Sequence, residues 1–149
     1  MKLLRVTFWA IFLVSNYSWS LNNITHLTAS GVTKPLDIFS HATIYRDLVH
    51  VSCMQGFVPG TLEFAGEDAS TQAEQLLKNL TLVLEQAGSG LDRVLKLNIY
   101  FADIKRDFVA VNTVINKYFP HNPPARSSLG VATLPRDAKV VMDCTAAVR

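Results

Sequence analysis

Only two cysteines, Cys53 and Cys144, occur in the 149 residues. That number excludes a small domain stapled by a disulfide framework and a zinc site built from cysteines alone. Charge is also sparse: charged side chains make up 17% of the chain against 49% apolar, which excludes an intrinsically disordered polyelectrolyte. No acid precedes Asp37, and removing Lys2 and Arg5 from the 14 bases leaves 12 against 12 acids. A dedicated nucleic-acid binder normally carries a basic face, so nucleic acid is not an expected partner. No apolar run reaches the roughly 18–20 residues that a membrane span needs. Repeats, low-complexity linkers and Gly-rich phosphate loops are absent too. His26, His41, His50 and His121 show no metal-ligand spacing, so neither metal nor cofactor is expected.

What is present begins with a targeting pattern. Lys2 and Arg5 form a charged start, Val6 to Val14 an apolar stretch interrupted only by Thr7, and Ser18 and Ser20 the small residues before a cleavage after Ser20. This is the tripartite form of a secretory signal peptide over residues 1–20, too short to span a membrane. A single domain over residues 21–149 follows, secreted or in the secretory lumen; the alternative is a cytoplasmic protein with a hydrophobic tail. Export would place Cys53 and Cys144 where a disulfide can persist, although their apolar, strand-like surroundings favour two small buried hydrophobes. Three triplets fit the N-glycosylation pattern: Asn16-Tyr17-Ser18, Asn23-Ile24-Thr25 and Asn79-Leu80-Thr81. Asn16 would leave with the signal, Asn23 is the best acceptor, and Asn79 falls in an expected helix.

The remaining chain alternates between two periodicities. His41 to Tyr45 and Leu48 to Met54 read as a hairpin about Arg46-Asp47, and Gly56 to Gly66 as a loop. Ala73, Leu76, Leu77, Leu80, Leu84 and Ala87 form one helical stripe, with Thr71 and Glu74 spaced as a capping box and Gly88 placed to stop it. Leu95, Leu97, Ile99 and Phe101 then alternate with Lys96, Asn98 and Tyr100, as in a strand with one buried face. Ile104, Phe108, Val111, Ile115 and Tyr118 define a second helix, starting near Asp103 or Asp107 and ending before Pro120. Two more strands, Ser127 to Leu134 and Lys139 to Val148, flank a turn at Pro135-Arg136-Asp137. Two amphipathic helices and one sheet give an α+β two-layer sandwich, with both helices on one sheet face. The last strand is largely apolar on both parities, which predicts that its outer face packs against other subunits.

Pro124-Ala125-Arg126-Ser127-Ser128-Leu129-Gly130-Val131-Ala132-Thr133-Leu134-Pro135 resembles the signature of the RidA/YjgF family, P-A-R-S running through V-A-x-L-P. Ala110-Val111-Asn112, Tyr118-Phe119 and Phe39-Ser40-His41-Ala42 are similar to further family blocks. The resemblance implies a chorismate-mutase-like fold with a mixed sheet, and a homotrimer with clefts between subunits. It also implies hydrolysis of 2-imino acids, or their enamine tautomers, to 2-keto acids and ammonia.

Such a substrate carries a carboxylate, which a guanidinium binds bidentately; the resemblance gives this part to Arg126. Ser128, two residues on, shares its side of the strand, and Asn112, Ser40 and Phe39 complete the implied binding set. Water addition to an imine calls for a carboxylate to position and deprotonate the water. The family's glutamate falls on Val141 here, and Asp143, roughly 6–7 Å further along the same strand face, is the available substitute. Phe39 lacks the family tyrosine's hydroxyl, and in Ser52-Cys53-Met54-Gln55 either the family glycine is replaced or one residue is inserted. Two expectations stand: an imine deaminase using Arg126 and Asp143, or a non-catalytic trimer binding small carboxylates or proteins.

Overall fold

The computed structural model describes residues 23–149; the signal-peptide reading and Asn16 lie outside the described residues. The described residues form six strands and two α-helices: β1 (Thr25–Leu27), β2 (Ala42–Tyr45), β3 (Leu48–Met54), α1 (Ala69–Gln86), β4 (Val94–Phe101), α2 (Ile104–Tyr118), β5 (Ala125–Gly130) and β6 (Val140–Ala147). The strands make one mixed sheet in the order β1-β2-β3-β6-β4-β5. All neighbours are antiparallel except β4 and β5, which α2 joins as a parallel pair.

The last strand lands in the middle of the sheet, between β3 and β4. Its Val140, Met142, Cys144 and Ala146 are therefore buried against the helices, together with Leu97, Ile99 and Phe101 of β4. The expected α1 stripe closes this core, every member being buried; each large side chain removed from water contributes about 1.5–3 kcal/mol. Gly88, at φ 75, takes the left-handed conformation that ends α1.

Four details depart from the sequence reading. The N-cap of α1 is Asp68, whose carboxylate accepts from the Thr71 amide at 2.8 Å and the Thr71 hydroxyl at 2.7 Å. Glu74 is drawn instead to the Tyr118 phenol, which donates to it at 2.8 Å, and no capping box forms. Leu95 is 51% exposed because the register shifts between Val94 and Lys96, so that Val94 takes the inward place. The strand beginning near Ser127 ends at Gly130, and it pairs with β4 rather than across the Pro135 turn with β6.

The outer face of β6 is the fourth departure. Val141 is buried, but the cross-strand neighbours that share this face are Lys96, Asn98, Tyr100 and His50. Exposed Leu48, opposite Ala147, and Leu129, opposite Tyr100, lie on the same side, so the uncovered face mixes polar and apolar side chains and β6 alone does not make it an apolar patch.

Candidate active site

Strand register fixes which side each candidate residue occupies. Along the parallel pair, Leu97 faces Arg126, Ile99 faces Ser128 and Phe101 faces Gly130. Leu97, Ile99 and Phe101 point into the helix-covered core, so Arg126 and Ser128 lie on that side, at the outer edge of the sheet. A Cβ on Gly130 would come within 2.9 Å of Ile104 Cγ2, which shows how closely α2 approaches here. Arg126 is exposed, and its Nη1 donates to Oδ1 of Asn112 on α2 at 2.8 Å. Among the described residues no carboxylate lies within ion-pair distance of Arg126. The guanidinium is held at one nitrogen by a neutral amide, which leaves its other N–H groups able to meet a planar anion.

Asp143 sits on the other face. It pairs with Asn98, and Val141 pairs with Tyr100, so the expected shared face of Val141 and Asp143 is observed. Asn98 Nδ2 donates to Asp143 Oδ1 at 2.7 Å, and the Cys53 thiol reaches Oδ2 at 3.7 Å. Burial first, and the Asp143 carboxylate second, push the Cys53 thiol up to about 11. A hydrogen bond to Asp143, followed by desolvation, raises the Tyr100 phenol as well. Asp143 therefore anchors donors through both oxygens. Cys53 and Cys144 are free and lie on opposite faces. Cys144 is the buried hydrophobe expected, whereas Cys53 is exposed because β3 carries one extra residue between Val51 and Met54. Gln55 follows that bulge and donates to the Pro135 carbonyl at 3.1 Å.

Phe39 and Ser40 occupy a third place, beside the β1–β2 edge. With His26, Asp37, Thr43 and His50 they line an open cleft of about 510 Å³. Phe39 is 52% exposed, and the Ser40 carbonyl accepts from the Ser52 hydroxyl at 2.5 Å. His41 is structural: Nδ1 accepts from the Ala29 amide and Nε2 bonds the Thr33 carbonyl, both at 2.9 Å. Among the described residues no three His, Cys, Asp or Glu side chains gather as metal ligands.

One chain thus brings Arg126, Asn112 and Ser128 together but not Phe39, Ser40 or Asp143, which lie elsewhere on the sheet. Alternation puts Asn98 and Tyr100 on one strand face, but nothing local in the sequence connects them with Asp143. The missing information was that β6 inserts beside β4.

The family model described as Endoribonuclease L-PSP matches residues 31–148. Reactive Intermediate Deaminase A, chloroplastic, of Arabidopsis thaliana is 40% identical over 108 residues, 72% of this chain and 57% of that protein. RutC family protein UK114 of Drosophila melanogaster is 35% identical over 120 residues, 80% of this chain and 86% of that one. Among solved structures, YEO7_yeast superposes with a TM-score of 0.81 at 34% identity, covering 85% of this chain and all (100%) of that one. RidA from an Antarctic Psychrobacter bacterium gives 0.76 at 29% identity, covering 83% and 100%.

Proposed function

This chain belongs to the Endoribonuclease L-PSP family, the family that includes the RidA/YjgF proteins, and from that premise we propose that it hydrolyses reactive 2-imino acids to 2-keto acids and ammonia. The observation that carries the reading is Arg126: an exposed guanidinium oriented by Asn112 and not neutralised by any carboxylate among the described residues. It suits a planar carboxylate on a small substrate. A relative that is 40% identical bears the name of a reactive intermediate deaminase.

The site is assembled between copies of the chain, as a homotrimer. Arg126, Asn112 and Ser128 project at the β5 edge, while Phe39 and Ser40 line a cleft at the opposite edge. A neighbouring copy can bring one edge of the sheet to the other, which a single copy cannot. In this arrangement Arg126 binds the substrate carboxylate, and Asp143, held by Asn98, stands two residues from the water position at Val141. Ribonuclease activity, named in the family's description, gains no support from a chain with 12 bases against 12 acids once Lys2 and Arg5 are set aside from the 14 bases.

A second reading keeps the trimer and the clamp without the chemistry: a binder of small carboxylates or of proteins. Val141 favours it, since an apolar side chain stands where the resemblance places a general base. The test is release of keto acid and ammonia from enzymatically generated 2-aminoacrylate, with Arg126→Ala as control. Turnover lost in Arg126→Ala supports the deaminase; binding of keto acid without turnover supports the binder.

A further inference from the structure

We propose that Asn23 is the N-glycan acceptor of this chain. The proposal is independent of the deaminase reading and rests on the export reading of residues 1–20. Two of the three acceptor triplets fall within the described residues, and their environments are opposite. Asn79 is 2% exposed. Its Nδ2 donates to the carbonyls of Phe57 at 2.9 Å and Gln55 at 3.2 Å, and its Oδ1 accepts from Gln75 at 2.9 Å. Both amide hydrogens are therefore engaged in tying α1 to the loop after β3. A glycan on that nitrogen would take one of those two hydrogens and has no room at a buried site, so it would force the two elements apart.

Asn23 is exposed, two residues ahead of β1, and Thr25, whose hydroxyl the triplet requires, is exposed as well. Between them Ile24 is 56% exposed. β1 is the edge of the sheet and pairs with β2 alone. In the transfer, Asn23 Nδ2 attacks the anomeric carbon of a lipid-pyrophosphate-linked oligosaccharide, a co-reactant of the secretory lumen. An N–C bond forms, the C–O bond to pyrophosphate breaks, the amide gives up one proton, and the lipid pyrophosphate leaves.

The test is expression of the full chain in a eukaryotic secretory host. Protein from the medium is treated with peptide-N-glycosidase, followed by gel mobility and peptide mass spectrometry. The expected result is a downward mobility shift, with Asn23 converted to aspartate. Asn23→Gln and Thr25→Ala each lose the whole shift. Thr81→Ala, which cancels the other triplet without touching Asn79, keeps it. Secreted chain bearing no glycan on Asn23, folded secreted chain bearing one on Asn79, or a cytosolic product retaining Met1 would each overturn the proposal.

Discussion

Arg126 and Asp143 pair with consecutive residues of β4, Leu97 and Asn98, from its two opposite sides, and so point to opposite faces of the sheet. The guanidinium and the carboxylate that the imine chemistry asks for cannot meet inside one chain. Each has its own local support, Asn112 for Arg126 and Asn98 for Asp143. The two halves are therefore separately testable.

For the clamp, Arg126→Ala should abolish binding of small 2-keto acids, because in a site closed by a neighbouring copy the charge-assisted pair is desolvated and its loss costs on the order of 2–5 kcal/mol. Asn112→Ala keeps the charge and loses its orientation, so binding should weaken but persist. Calorimetric titration with pyruvate checks both. Equal affinity in Arg126→Ala and wild type would remove Arg126 from the site.

For water activation, Val141→Glu should raise imine hydrolysis roughly 10²-fold, the worth of a positioned general base, at some cost in stability because Val141 is buried. Asp143→Asn should lower whatever activity the wild type has. A wild type as fast as glutamate-bearing relatives and indifferent to both changes would mean that Arg126 and backbone groups suffice.

For assembly, the mature chain should run as a trimer of roughly 40 kDa, closed symmetry being the ordinary solution for such interfaces. Static light scattering at micromolar concentration decides this. A monodisperse monomer contradicts the shared site.

Cys53 should alkylate slowly at pH 8 despite its exposure, because its thiol lies at about 11 against an ordinary 9.0. Asp143→Asn should quicken it only in part, since desolvation is the larger cause. The raised value favours the folded state while the thiol is protonated. That contribution is complete below pH 9 and disappears as pH rises through about 11. Iodoacetamide labelling across this range, read by mass spectrometry, checks the order; labelling as fast as in unfolded chain contradicts it.

Asp68→Ala should destabilise the domain by about 0.5–2 kcal/mol through loss of the α1 cap, whereas Glu74→Ala should leave that cap intact. Urea unfolding of the two variants separates them. A larger loss from Glu74→Ala than from Asp68→Ala would restore the capping box.

Both helices, the Arg46-Asp47 hairpin and the inward set Leu97, Ile99 and Phe101 are legible in the residues alone. Each of these rests on local periodicity or a local breaker, and nearest-neighbour physics suffices. The Asp68 cap is not legible locally because two cap patterns overlap, and only the folded geometry chooses between Asp68 and Glu74, each three residues from Thr71. Leu95 turns outward against its alternation because a bulge depends on the partner strand's register. The signature singled out Arg126, and strand alternation gave the shared side of Ser128. Which face Arg126 takes, and that Asp143 takes the other, follows from how distant strands pair. Strand order is a long-range property: β6 follows everything else in the chain, yet it pairs between β3 and β4 because there its apolar face can be buried against α1 and beside the inward residues of β4.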